Sequence, residues 1–195
     1  MSRFKLTKKA TVFFLIILSF TIIFWLMDSE VTNNTDSYIY DLPFAAGSSH
    51  KVVQGYGGWF SHKGIAALDF YMPVGTPVYA AREGIVYSYK EDSDKGGILP
   101  GNKNQANYLI IKHDDGSYGC YWHLRHNGVI TKQGLVQKGQ LIGYSGNTGF
   151  VLAPHLHFSV KNRLNYNKDS FVKTKFNTAE GVLFLMRGRT YKRPL

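Results

Sequence analysis

Residues 107–124 read NYLIIKHDDGSYGCYWHL. Two apolar runs, 107–113 and 118–124, flank Asp114-Asp115-Gly116-Ser117. The runs are rich in β-branched and aromatic residues, which suit a pleated, half-buried surface. An Asp-Gly turn between such runs is a hairpin signal. The stretch therefore predicts two antiparallel strands, and the pattern recurs outward in both directions. Upstream, residues 51–58 predict a strand running into a glycine-rich loop, and 66–71 a mostly apolar strand carrying one acid, Asp69. Residues 78–81 and 84–89 give two more strands beyond the turn Pro73-Val74-Gly75-Thr76-Pro77. Downstream, 135–138, 141–145, 155–161, 172–176 and 182–186 continue the series. Residues 91–104 are charged and rich in Gly, Asn and Lys, and are expected to form an exposed loop. Nothing beyond the N-terminus sustains a 3.6-residue stripe. The expected fold class is all-β, a compact antiparallel sheet, sandwich or partly closed barrel.

A chain of 195 residues fits one domain with room left over. Its 23 lysines and arginines against 13 aspartates and glutamates give a net charge of +10, which favours anionic partners. Anionic lipid and anionic cell-wall polymer fit that charge. No arginine-rich run or nucleic-acid motif is present, so nucleic acid is not an expected partner. The basic tail, residues 187–193, is expected to be a solvated face with affinity for anionic wall or lipid. The one cysteine, Cys120, sits between apolar neighbours and reads as a buried strand residue.

The N-terminus reads differently. Arg3, Lys5, Lys8 and Lys9 precede an uncharged run from Ala10 to Met27, 18 residues dominated by Leu, Ile and Phe. That length is near the lower limit for a membrane-spanning helix, and no small-residue cleavage site follows it. Residues 1–27 are therefore expected to be a signal anchor, a single transmembrane helix with its basic flank in the cytoplasm. Residues 28–41 follow as a polar linker, and residues 42–195 as a domain on the extracytoplasmic side of the cell membrane, secreted if the segment is cleaved.

Chemistry gathers at Pro154-His155-Leu156-His157-Phe158. Strand side chains alternate faces, so His155, His157 and Ser159 share one face while Leu156, Phe158 and Val160 share the other. The apolar face can anchor in a core and the histidine face can point into a cleft. Asp69, an acid inside an apolar strand, needs a cation or strong donors. His62 lies in a glycine-rich loop seven positions earlier, and His123 lies near the end of an apolar run. A hydrolytic zinc site needs three protein ligands and one open position, which two histidines and a carboxylate satisfy. Two further histidines would remain to handle protons. No H-E-x-x-H occurs, which excludes the arrangement in which a helix supplies two histidines and a glutamate base. His50, His113 and His126 read as structural or solvated, and Tyr56, Trp59 and Phe60 as core residues or groove lining.

The strings Ser61-His62-Lys63-Gly64, Leu68-Asp69-Phe70, Gly75-Thr76-Pro77-Val78-Tyr79-Ala80-Ala81, Tyr121-Trp122-His123-Leu124, Gly146-Asn147-Thr148-Gly149 and Pro154-His155-Leu156-His157-Phe158 occur in this order. In this they resemble the lysostaphin/LytM-type zinc endopeptidases, across nearly all of residues 42–194. The resemblance implies a compact antiparallel β domain with a groove, and one zinc ion held by His62, Asp69 and His157. It implies His123 and His155 as the catalytic pair around the water that zinc activates. It implies peptidoglycan as substrate, cleaved at cross-links or stem peptides, with a regulatory protein partner left open. His62 and Asp69 are spaced H-x6-D, longer than the family's usual H-x3-D. A catalytically silent member that binds wall or activates another hydrolase is the second reading.

Overall fold

The computed structural model describes residues 31, 34–165 and 167–195. The expected membrane segment, residues 1–27, lies outside them. Among the described residues no helix is long and apolar enough to cross a membrane.

Thirteen strands among the described residues join in one sheet. Its main path runs Thr190–Lys192, Ser49–Gln54, Ala67–Tyr71, His155–Lys161, Tyr118–Val129, Asn107–Lys112, Gly84–Lys90 and Leu135–Val136. The histidine-bearing strand is thus central, antiparallel to Ala67–Tyr71 on one side and to Tyr118–Val129 on the other. The hairpin expected around Asp114-Asp115-Gly116-Ser117 is present, with Lys112 opposite Tyr118 and Leu109 opposite Tyr121.

The period-two alternation sets the two faces. Leu156, Phe158 and Val160 are buried in the core together with Leu68, Phe70, Leu109, Ile111 and Tyr121. The Phe158 ring meets Tyr121, Phe176 and Tyr40 at centroid separations of 5.1, 5.9 and 6.3 Å, mostly edge to face. The opposite face of the same strand carries His155 and His157, both only partly buried.

Three expectations are corrected. Residues 35–41 do not belong to a linker, because Thr35–Asp41 is a strand that pairs in parallel with Phe171–Thr178. Its polar composition hides an alternation in which the Tyr40 ring is buried and its hydroxyl donates to Asp36 at 2.8 Å. This pairing also means that the sheet is not wholly antiparallel; the short Gly96–Gly97 and Gly149–Phe150 pair is parallel too. Finally, the basic tail is not simply a solvated face. Tyr191 is buried, Thr190–Lys192 pairs with Ser49–Gln54, and the Arg193 guanidinium donates to the Phe44 carbonyl at 2.7 Å and meets Asp41 at 3.3 Å.

Candidate metal centre and cleft

Asp69 sits directly opposite His157 across the antiparallel pair, so both side chains leave the same face. His157 Nδ1 lies 2.9 Å from Asp69 Oδ1. His62, completely buried, comes in from the loop that precedes the Ala67–Tyr71 strand. Its Nε2 lies 3.2 Å from the same Asp69 oxygen and 3.1 Å from His157 Nδ1. The extra residues of the H-x6-D spacing are absorbed by that loop, and the three ligand atoms end within 4.8 Å of one another.

The surroundings leave each of these residues one ligand atom. His62 Nδ1 is 3.0 Å from the Gly55 carbonyl, which can only accept, so that nitrogen carries the hydrogen. Asp69 Oδ2 accepts a 2.8 Å hydrogen bond from Gln54 Nε2, which leaves Oδ1 facing the histidines. Zinc–nitrogen and zinc–oxygen bonds of about 2.0–2.2 Å in a tetrahedron require ligand atoms about 3.3 Å apart. The 2.9–3.2 Å separations are a few tenths of an ångström short of that requirement, a gap that small side-chain shifts close, and two nitrogens with one carboxylate oxygen are zinc donors. The residues present fit the metal.

Two more histidines face this cluster. His155 Nε2 lies 3.6 Å from Asp69 Oδ1, and its Nδ1 is 2.8 Å from the Ala153 carbonyl. His123 Nδ1 is 2.7 Å from the Thr148 carbonyl. The same acceptor argument puts the hydrogen of both rings on Nδ1 and leaves Nε2 as a proton acceptor. The two ring centroids are 4.7 Å apart, and His123 is 5.9 Å from His157. All five residues expected from the sequence are therefore brought to one place.

Electrostatics follow the crowding. Burial alone would raise the Asp69 carboxyl, but the charge of His62 and hydrogen bonds from His157 and His62 hold it well below the usual carboxylate range. Burial pushes the His123 imidazole down to about 3, helped by the neighbouring charges of His155 and His157. Burial lowers His157 as well, against the opposing pull of Asp69.

The sequence reading missed Gln54, which steadies Asp69 and takes a hydrogen bond from the Ser61 amide at 3.2 Å. Val52 lies opposite Phe70 and Gln54 opposite Asp69, so Val53 is an extra, bulged residue. An unbulged strand would put Gln54 on the core side with Val52. His123 obeys the same rule. Trp122 is opposite Tyr108 and Leu124 opposite Asn107, which makes His123 the extra residue, with a left-handed φ of 65°. The bulge turns a side chain that parity assigns to the core toward the cleft.

Beside the cluster lies a pocket of about 500 Å³, reached by Asp69, His123 and His155. Trp59, Phe60, Phe150, Leu152 and Pro154 line it. Phe60 stacks on Phe150 at 5.9 Å and 15°, so the two loops meet. Tyr56, by contrast, is held away from the groove, its hydroxyl bonded to Thr174. The remaining histidines are outside the cleft. His50 is bonded to the Tyr71 carbonyl, His113 to the Glu83 carbonyl, and His126 approaches the Asn127 amide.

The sequence pattern of Peptidase family M23 matches residues 61–170, more than half of the chain. The peptidoglycan DD-endopeptidase ShyA of Vibrio cholerae serotype O1 is 39% identical over 93 residues, 47% of this chain and 19% of that protein. Lysostaphin of Staphylococcus staphylolyticus is 39% identical over 91 residues, 47% of this chain and 17% of that protein. The matched part thus spans about a fifth of the length of these relatives. The lysostaphin catalytic domain of Staphylococcus simulans superposes with a TM-score of 0.43 at 26% identity, covering 64% of this chain and 86% of that one. That superposition is too loose to bear on the fold, which rests on the strand pairing itself.

Proposed function

Because the chain belongs to peptidase family M23, we propose that it is a membrane-anchored zinc endopeptidase that hydrolyses peptide bonds in bacterial peptidoglycan. The observation that carries this reading is the convergence of His62 Nε2, Asp69 Oδ1 and His157 Nδ1 within 4.8 Å, with His123 and His155 facing them at the side of a pocket. The uncharged run of residues 10–27 behind four basic residues supports the anchor, and the net charge of +10 suits a wall polymer that bears carboxylates.

His62, Asp69 and His157 would hold the metal. Zinc, when bound there, supplies a Lewis acid and brings the pKa of a water in its open position toward neutrality. Gln54 and the Gly55 carbonyl fix the orientation of Asp69 and His62. His123, kept neutral by burial, and His155 each offer an unprotonated Nε2 to the cleft. They accept the proton that the attacking water gives up, and a protonated ring returns it to the leaving amine. The apolar pocket walls exclude bulk water from the reacting peptide and strengthen each of these contacts.

Purified peptidoglycan digested with the full chain in detergent tests the reading. Soluble muropeptides are expected from the wild type, with release lowered roughly 10²–10⁴-fold by His155→Ala and abolished by a chelator. Equal release in all three reactions overturns the enzyme assignment. Wall binding without release points instead to a catalytically silent domain.

A further inference from the structure

Among the pocket's lining residues that the catalytic scheme does not use, one is charged. Arg187 comes from the C-terminal segment, beyond the 61–170 family match. Among the described residues that line the pocket it is the one permanently charged cation; the lining acid, Asp69, is already engaged by three histidines and Gln54. Its position is built rather than incidental. The Gly188 amide donates to the Val52 carbonyl at 2.8 Å, and the Val52 amide donates to the Arg189 carbonyl at 2.9 Å. These two bonds clamp the turn against the Ser49–Gln54 strand, close to the metal cluster. Gly55 makes room for it, since a Cβ there would stand 3.3 Å from the Arg187 amide nitrogen. The Gly55 carbonyl also orients His62, so the Arg187 backbone and the metal ligand pack against one piece of chain.

A pocket lined by Trp59, Phe60, Phe150 and Leu152, by the candidate metal ligand Asp69 and by Arg187, is matched by a peptide segment that carries a small apolar residue and a carboxylate. We propose that Arg187 is a specificity-determining residue that binds a free peptide carboxylate next to the bond presented to the histidines. This rests on the peptidase reading above and names the chemistry that the substrate must bring. A guanidinium pairs with a carboxylate through two parallel hydrogen bonds, an interaction that a neutral carboxamide cannot return.

The test uses one purified insoluble peptidoglycan in two forms, with its peptide carboxylates free or amidated by carbodiimide and ammonia. The full chain is compared with Arg187→Gln, Arg187→Lys and Arg189→Gln. The last removes the same charge from the same turn, at a side chain that pairs with Glu180 instead. Cleavage is read as the ratio of kcat/KM on free over amidated wall, which does not depend on the fraction of a variant that folds. Binding to both walls is read separately, by sedimentation in the presence of chelator.

Wild type and Arg189→Gln are expected to favour the free-acid wall by about tenfold. Arg187→Gln should bring the ratio to about one, mainly through KM, with Arg187→Lys between them. A ratio near one for the wild type, or one unchanged in Arg187→Gln, overturns the proposal while leaving the peptidase intact. Acid-selective binding that depends on Arg187 but not on Arg189, with no cleavage, supports the carboxylate site and overturns the peptidase reading. Neither cleavage nor Arg187-dependent binding overturns both.

Discussion

Asp69 Oδ1 is approached by three imidazole nitrogens at 2.9, 3.2 and 3.6 Å. A carboxylate with one oxygen crowded by so many nitrogens is aimed mainly by what holds its other oxygen, and that is Gln54 at 2.8 Å. Groups that orient a ligand rather than bind the metal typically carry a 10–100-fold share of metal affinity or activity. Gln54→Ala is accordingly expected to weaken zinc binding by about tenfold or more, measured by competition with a chromophoric chelator. An unchanged dissociation constant would show that Asp69 is aimed by the histidines alone. Residues of this sort are the hardest to read from a sequence. Asp69 announces itself as a charge in an apolar strand, whereas a glutamine at the end of a strand has nothing unusual about it until its partner is known.

At the scale of elements, the His155–Lys161 strand was legible because it obeys the period of two throughout: His155 and His157 face the cleft, and Leu156, Phe158 and Val160 face the core. Asp69 was legible for the same reason. Gln54 and His123 were not, because each follows or forms a bulge that breaks the alternation. His123 drew notice from its place near the end of an apolar run, but its role came only from its resemblance to a family string. The strand Thr35–Asp41 was hidden by its polar residues, and its partner lies more than a hundred positions away, beyond any local signal. The energetic weight of the central strand rests on its hidden face. Truncating a buried aromatic ring in a packed core costs about 3–5 kcal/mol. Phe158→Ala, which empties the space between Tyr121, Tyr40 and Phe176, is expected to lower the unfolding free energy by about that amount in urea titrations followed by tryptophan fluorescence. A loss well below 1 kcal/mol would mean that the aromatic cluster collapses to fill the gap.

The whole molecule responds to acid through groups outside the cleft as well as within it. Burial lowers the His113 imidazole below its ordinary 6.5, with the Arg82 charge acting in the same direction against the Glu83 carbonyl bond. His50 is lowered by burial too, opposed by its bond to the Tyr71 carbonyl. In both cases the unfolded chain binds the proton more readily than the folded one. Their contribution to stability is complete above about pH 6.5 and is lost as the pH falls through the folded values. The urea midpoint should therefore fall between pH 7.5 and 5.5, and fall less in His113→Asn, whose amide can still donate to the Glu83 carbonyl. An identical pH slope in that variant would exclude His113 as a source. The two bulges set a different limit on the molecule. Pairing Val53 regularly opposite Asp69 would return Gln54 to the core side, and deleting the residue between Trp122 and Leu124 would remove His123 itself. In those strands the arithmetic of the chain matters as much as its spelling, so the places free to lengthen or shorten over evolutionary time are loops outside the strands, such as residues 131–134, where no parity has to be kept.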